Sequence, residues 1–186
     1  MRNPMPCTGL ALVALLSACA PQPMISSEHI HSNVLIPSHF AYAARDGKVE
    51  VTLKGNPFAG SPEALAAATT RAMKDAHAGP RTQFVPRPAT SQEIYRLVYL
   101  FNPDPFTLAR KACENPDGVA LRPAEGGTTR VFGIFCQRET PLSEAMAVME
   151  GVTSADSPAF SELIAGLTLA ILPYQMPDGG VFGEPS

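Results

Sequence analysis

A short apolar run near the N-terminus decides which residues can enter a fold. Residues 9–16 follow a single early arginine, Arg2, and end at the small residues Ser17 and Ala18. A basic start, an apolar stretch and a small-residue end are typical of a signal peptide that is removed on export. The run is shorter than the roughly 20 residues that a permanent membrane-spanning helix needs. We therefore expect residues 1–18 to be removed, which leaves 168 of the 186 residues for one domain.

The residues at the predicted cleavage point form a more specific motif. Leu16-Ser17-Ala18-Cys19 resembles the lipobox of the bacterial lipoprotein class, in which an aliphatic residue and two small residues precede the cysteine that is lipidated. The resemblance implies a diacylglycerol on the sulfur of Cys19 and several acyl chains, which together hold a protein stably on a membrane. Two alternatives stay open: an ordinary cleaved signal peptide followed by a chance cysteine, and an uncleaved membrane anchor.

The resemblance also implies a location. Ala20 follows the cysteine, where a signal for retention in the inner membrane typically has aspartate. For a bacterium with two membranes this implies a membrane-anchored lipoprotein on the periplasmic side, on the outer membrane rather than the inner. The expected partners are the membrane, through lipid on Cys19, and another envelope protein.

The predicted export signal assigns the four cysteines to different roles. Cys7 leaves with the signal peptide and Cys19 takes the lipid, so Cys113 and Cys136 remain as a pair in an oxidising compartment. We predict a disulfide between them. The alternative is a pair of buried free thiols. A metal site is disfavoured because the two cysteines are 23 residues apart and have no C-x-x-C spacing.

Residues 19–44 are interpreted as the lipidated N-terminus and a flexible tether, because prolines and serines interrupt any periodicity. His29 and His31 lie in this segment and would point the same way in an extended chain. They are weak candidates for binding zinc or copper. The alternative is a polar tether that happens to contain histidines, so we predict no metal site and no cofactor.

Residues 45–172 are expected to form a single α+β domain, with a small, mostly antiparallel sheet packed by helices. Apolar alternation and β-type runs predict strands near residues 48–54, 82–86, 94–101, 119–122 and 130–137. Capping residues and apolar spacing predict helices near residues 61–77, 141–150 and 157–172. We expect 94–101 to lie beside 130–137, 119–122 to form a hairpin with 130–137, and 173–186 to be a mobile tail.

Two features invite a functional interpretation as well as a structural one. The helix near 157–172 is so apolar that it is either core or a surface for a partner, and core is the simpler interpretation. Asn-Pro follows two of the predicted strands, at Asn56-Pro57 and Asn102-Pro103. Asn-Pro is common turn chemistry, but the two turns can also have a paired role at one end of the sheet.

The sequence contains no motif that identifies an activity. It lacks a G-x-S-x-G elbow, an H-E-x-x-H pair and a glycine-rich phosphate loop. Acidic residues at Asp104, Glu114 and Asp117 fit a solvated loop better than a site for a hard cation. The net charge is −3 and no basic cluster is present, which argues against nucleic-acid binding.

We therefore predict no catalytic residue and no enzymatic activity. The expected function is that of a lipid-anchored interaction or assembly module of the envelope. The alternative is a periplasmic lipoprotein that binds a small ligand or a metal, and an enzyme is the least favoured class.

Overall fold

The fold is built on one mixed sheet with helices on both faces. The computed structural model describes residues 22–31, 35–77, 79–88, 90, 93–124 and 127–173. Its elements in chain order are β1 (Met24–Ile30), α1 (Ile36–Ala43), β2 (Lys48–Lys54), α2 (Pro62–Met73), β3 (Gln83–Pro86), β4 (Tyr95–Phe101), α3 (Ala109–Glu114), β5 (Thr128–Gln137), β6 (Thr140–Glu150) and α4 (Pro158–Ile171). The predicted signal peptide, Cys19 and residues 174–186 lie outside the described residues.

The six strands have the order β1-β6-β5-β4-β2-β3. The pairs β1–β6, β6–β5 and β5–β4 are antiparallel, whereas β2 pairs parallel with both β3 and β4. The α+β class is thus confirmed, and the mostly antiparallel sheet of the prediction is a mixed one. The parallel part arises because α2 carries the chain from β2 to β3 across one face of the sheet.

The two faces of the sheet are covered unequally. On one face α1, α2 and α4 bury the larger core, to which β4 contributes Leu97, Tyr99 and Phe101. On the other face a smaller cluster forms between α3 and the alternate residues of β4 and β5, such as Val98 and Ile134. Strand β4 is therefore apolar on both sides, as expected of a central strand.

The predicted disulfide between Cys113 and Cys136 is present, with Cα atoms 5.8 Å apart. It ties α3 to β5, and the Arg96 guanidinium donates a hydrogen bond to the Cys113 carbonyl. An isolated helix of six residues is unstable in water. A crosslink that closes a loop of this length contributes about 3 kcal/mol in the chain-entropy account, so the disulfide explains why α3 stays on the sheet.

The predicted tether is wrong for residues 24–30 and 36–43, which form β1 and α1. Strand β1 pairs with β6, with Met24 opposite Val148, and its Ile25 and Ile30 pack against the larger core. Helix α1 buries Ile36 and Phe40 completely. Pro23 directly precedes β1, Ser26 lies within β1 opposite Met146, and Pro37 occupies the first turn of α1, where proline is tolerated.

The helix predicted near residues 141–150 is wrong, because this segment is strand β6. Its Ala145, Ala147 and Met149 are buried against the helical face, while Met146 and Val148 between them are half-buried. Leucine, alanine and methionine at helical spacing after Thr140-Pro141 favour a helix, but pairing along both edges of the segment overrides that weak preference.

The strand predicted at 119–122 is also wrong. Around it the structure has only a 3-10 turn at Pro116–Gly118 and a single bridge from Pro103 to Leu121. The hairpin partner of β5 is therefore β6. The helix predicted near 61–77 ends earlier, at Met73. The final predicted helix agrees with α4, whose apolar stripe is buried within the domain while Leu169 on its other side is exposed.

The other predicted strands agree with the structure. Strand β2 has the predicted bounds, β3 lies at the edge of the sheet as Pro86 requires, and β4 pairs with β5 along its whole length. The ends of the parallel strands β2 and β4 meet closely, because a Cβ at Gly55 would lie 2.8 Å from the Phe101 carbonyl oxygen. The two Asn-Pro turns therefore emerge side by side at one end of the sheet.

The contact between β5 and α4 leaves no room for a side chain at Gly133. A Cβ there would lie 2.9 Å from Cγ of Leu167 and 3.1 Å from both of its methyl carbons. We expect Gly133→Ala to lower the free energy of unfolding by about 1–3 kcal/mol, measured by urea denaturation. Gly60→Ala is the matched control, because no atom lies within 4 Å of a Cβ at Gly60. Equal stability of the two variants would contradict this packing.

Candidate functional site

The most chemically varied surface lies at the end of the sheet where β2 and β4 begin and β5 turns into β6. Two hollows of about 240 and 760 Å³ meet there and share Ile94 and Tyr95 as a common wall. We call this surface the Tyr95 cleft. Its remaining walls come from α1 and its following turn, from the start of β2, from the segment leading into β4 and from the β5–β6 turn. These residues are Tyr42, Ala43, Arg45, Asp46, Lys48, Val49, Glu50, Val85, Arg87, Glu93, Gln137, Arg138, Glu139 and Thr140.

Tyr95 is held by three neighbours. Its ring stacks on Phe135, with ring centres 5.9 Å apart. Gln137 Nε2 donates to the Tyr95 hydroxyl oxygen at 2.9 Å, and His39 Nδ1 lies 3.0 Å from the same oxygen. Because Gln137 is the donor in the first bond, the hydroxyl proton is free to be donated to an unprotonated Nδ1 of His39. Burial raises the pKa of Tyr95, so the hydroxyl stays protonated in the folded protein.

Tyr42 and Arg45 extend this aromatic surface towards solvent. The Tyr42 ring meets the Tyr95 ring edge to face at 5.8 Å, and the Arg45 guanidinium carbon lies 4.4 Å from the centre of the Tyr42 ring. Arg45 also donates to the Tyr42 carbonyl oxygen at 3.1 Å. The three side chains form a stack from the half-buried Tyr95 to the exposed Arg45, which makes the surface both apolar and cationic.

The smaller hollow lies over the start of β2. The Arg87 Nε lies 3.3 Å from a carboxylate oxygen of Glu50, and this ion pair lines the hollow. Ile94 is 38 % exposed on the wall between the two hollows. Across that wall, the Arg138 N–H donates to the Ile94 carbonyl oxygen and closes the β5–β6 turn against the start of β4.

The cleft has the chemistry of a binding surface. It offers aromatic rings, an aliphatic side chain and guanidinium groups, with acidic groups at its margins. Two of its charged groups already have partners, since Glu50 pairs with Arg87 and Arg45 stacks on the Tyr42 ring. Tyrosine and arginine are the residue types enriched where proteins bind each other tightly.

The structure places the predicted metal candidates, His29 and His31, on the edge strand β1 and just after it. The two side chains do lie together, with ring centres 4.5 Å apart. His31 Nε2 lies 3.2 Å from a carboxylate oxygen of Glu144 on β6. Within the described part of the chain, no group of three or more histidine, cysteine or acidic side chains is arranged to hold a metal ion.

Two of the three acidic loop residues, Asp104 and Glu114, are paired with arginines. Asp104 accepts two hydrogen bonds from Arg122, at 3.1 and 2.8 Å. The pKa of Asp104 is lowered, mainly because its carboxylate accepts a hydrogen bond from the Phe106 N–H and also because it pairs with Arg122. Glu114 pairs with Arg110 at 2.9 Å. This pairing supports a solvated loop.

Sequence reasoning did not identify the residues of the Tyr95 cleft. Tyr42 lies in the segment interpreted as tether, and Tyr95 and Gln137 lie in two strands that are predicted only as parts of the sheet. The useful signal is the predicted pairing of strands 94–101 and 130–137, which brings Tyr95 opposite Gln137.

Comparison with known proteins gives similarity to solved structures only. No family model and no curated protein matches the sequence. The PelC dodecamer from Paraburkholderia phytofirmans is similar, with 8 % sequence identity, a TM-score of 0.42, and coverage of 83 % of this chain and 100 % of that chain. A variant of the same PelC dodecamer matches at 9 % identity with the same TM-score of 0.42 and the same coverage of 83 % and 100 %.

Over the residues that the structure describes, none of the helices combines the length and the apolar character needed to cross a membrane.

The hydrogen bonds to the Tyr95 hydroxyl give a direct prediction. We expect Tyr95→Phe to lower the free energy of unfolding by about 1–2 kcal/mol, because Gln137 and His39 lose a shared partner. Tyr42→Phe is the control, because its ring is 53 % exposed and a surface change costs less than about 0.5 kcal/mol. Both values come from urea denaturation at neutral pH.

The raised pKa of Tyr95 adds a pH signature to this prediction. The unfolded chain releases the Tyr95 proton from about pH 10, whereas the folded protein retains it to higher pH. The unfolded state then binds fewer protons, so stability falls as the pH rises above 10. Tyr95→Phe should reduce this fall. An identical pH dependence in wild type and variant would contradict the protected hydroxyl.

Proposed function

We propose that this protein is a lipid-anchored interaction module of the bacterial envelope, which binds a segment of another protein in the Tyr95 cleft. The observation that carries the proposal is the stack of Tyr95, Tyr42 and Arg45 beside the exposed Ile94. Aromatic and arginine side chains that are already ordered lose little entropy on binding, so a partner gains most of their contact energy.

The shape of the cleft supports a protein segment as the occupant. The two hollows adjoin along the wall of Ile94 and Tyr95 and are open to solvent. A small molecule is usually bound in a concave site that buries most of its surface. A chain laid across the wall would instead contact both hollows at once and place apolar side chains against Ile94 and the tyrosine rings.

The charges of the cleft suggest what such a segment carries. Arg45 is half-exposed and stacks on Tyr42, and Arg138 is exposed on the β5–β6 turn. Both can reach a partner without breaking a buried ion pair. An acidic group flanked by apolar residues fits this arrangement, because guanidinium groups bind carboxylates through paired hydrogen bonds.

Site-specific photocrosslinking in cells tests the proposal. A photoreactive residue in place of Ile94 should give a discrete crosslinked product, and one in place of Leu169 should not. Leu169 is the matched control because it is 52 % exposed on α4, outside the cleft. Combining the probe with Arg45→Ala should weaken the product about tenfold, which is the loss expected when an interface anchor is truncated.

The identity of the crosslinked product distinguishes partner binding from self-association. A product of this chain with a different protein supports the module as proposed, and a product of two copies of this chain assigns the cleft to self-association. Equal products from positions 94 and 169, or a product insensitive to Arg45→Ala, would refute binding in the cleft. A small ligand retained by the purified protein and lost in Arg45→Ala would favour the ligand-binding alternative.

The anchor is tested separately at Cys19. In cells supplied with a palmitate analogue, the wild-type protein should become labelled and sediment with the membrane fraction, because several acyl chains hold it there. Cys19→Ser should lose the label and move to the soluble fraction. Cys7→Ser is the control, because Cys7 lies within the segment expected to be removed. Label retained in Cys19→Ser would refute the lipobox.

A further inference from the structure

The end of the sheet opposite the Tyr95 cleft exposes large apolar side chains on a turn that is held by hydrogen bonds. Strands β2 and β4 end here, and the chain after β4 turns at residues 102–108 into α3. Phe106 is 86 % exposed and Leu108 is 61 % exposed. We call this surface, with the two side chains and the start of β1, the Phe106 end.

The turn that carries Phe106 is held rigidly. Asp104 accepts from the Phe106 N–H at 2.9 Å, and its other carboxylate oxygen is bound by Arg122. The Asp104 N–H in turn donates to the Ala120 carbonyl oxygen, and the Thr107 N–H donates to the Asp104 carbonyl oxygen. These bonds hold the backbone of the turn in a conformation in which the Phe106 side chain points outward. A fixed, exposed apolar group is the kind that marks a contact surface.

The equivalent turn after β2 also carries a phenylalanine, but that side chain packs inward. Phe58 follows Asn56-Pro57 there and packs inward against Phe160, with ring centres 5.6 Å apart. Phe106 belongs to the neighbouring turn at the same end of the sheet but contributes nothing to the core. Packing of the domain therefore explains one of the two phenylalanines and leaves the other for an external surface.

The position of β1 indicates that the Phe106 end faces the membrane. Strand β1 begins at Met24, opposite Val148 near the end of β6, so the chain that precedes it emerges towards the Phe106 end. Gln22, the first described residue, is only three residues after Cys19. Three residues span at most about 11 Å. Since β1 replaces the expected tether, lipid on Cys19 would hold this end of the domain against the bilayer.

The lateral geometry allows both attachments at once. Strands β1 and β4 are three positions apart in the sheet, which places the start of β1 and the turn after β4 about 14 Å apart across the strands. Met24, at the beginning of β1, is itself 62 % exposed. Lys111 on α3 and Lys54 at the end of β2 lie at or near this end, with the paired acids Asp104 and Glu114 close by.

We propose that the Phe106 end lies on the phospholipid bilayer, with Phe106 and Leu108 inserted among the lipid headgroups as a second contact beside the lipid on Cys19. The proposal rests on the anchor of the proposed function. An acylated residue alone leaves a domain free to rotate, whereas a second apolar contact on a rigid turn fixes its orientation. The Tyr95 cleft then faces away from the membrane.

Tryptophan fluorescence on a chemically anchored protein tests this orientation. The sequence contains no tryptophan, so one introduced residue is the only indole in the protein. Leu108→Trp places it at the Phe106 end. Leu35→Trp is the matched control, because Leu35 is also 61 % exposed but precedes α1, which packs beside the Tyr95 cleft. Circular dichroism checks that both variants keep the wild-type fold.

The anchor is supplied by chemistry rather than by the cell. In the chain from Cys19 onward, Cys113 and Cys136 are joined, so Cys19 is the one free thiol and couples to a maleimide lipid in phosphatidylcholine vesicles. The vesicles carry lipids brominated near the headgroup, which quench a tryptophan that is inserted there. Failure of this experiment is thus distinct from failure of lipidation or of partner binding in cells.

We expect the Leu108→Trp emission to shift to shorter wavelength on coupling and to lose about half its intensity to the brominated lipid, as for a side chain held at headgroup depth. The Leu35→Trp emission should not change. Adding Phe106→Ser to Leu108→Trp should reduce the quenching. Equal quenching at both positions, stronger quenching at 35, or none at either would overturn the proposal.

Discussion

The burial of β4 on both faces is the constraint on which the rest of the structure depends. Leu97, Tyr99 and Phe101 enter the core under the helices, while Val98 and Leu100 enter the cluster under α3, all almost completely buried. Each such side chain stabilises the fold by about 1.5–3 kcal/mol relative to an exposed position. A strand with no solvent-facing side must have cover on both faces, and α3 is too short to provide it without the crosslink to β5.

The polar atoms of this central strand are satisfied in ways that fix its neighbours. The Tyr99 hydroxyl lies 2.8 Å from Oγ1 of Thr168 on α4, and Thr168 in turn donates to the Ile164 carbonyl oxygen. Burial raises the pKa of Tyr99 and keeps it neutral. On the other face, burial lowers the pKa of Arg96, and the guanidinium donates to the Cys113 carbonyl. One polar contact therefore positions α4 and the other positions α3 beside its disulfide.

Sequence patterns predicted the segments whose burial is periodic and missed those whose structure depends on pairing. Strand β2 alternates and α4 has a clear apolar stripe, so both have nearly the predicted bounds. Strand β6 is rich in residues that favour helices, and only its two neighbouring strands make it extended. Strand β1 and α1 are short and interrupted by serine and proline, so their core-facing residues Ile25, Ile30 and Ile36 form no recognisable period. The Tyr95 cleft was missed because its residues come from α1, β4 and β5. No pattern within a single segment of the sequence shows that these three elements lie together.

The loss of the tether changes how the two ends of the sheet relate to each other. A flexible linker of about 25 residues would let the domain sample positions well away from its anchor, and neither end would have a fixed direction. In the proposed anchoring, β1 starts five residues after the lipidated Cys19, so the sheet itself is the spacer between the bilayer and the cleft. Seven residues of strand, as in β4, span about 23 Å between the Phe106 end and the Tyr95 cleft. In the proposed orientation, a partner of the cleft is held at a set height above the bilayer, which favours partners that present their binding segment close to the membrane.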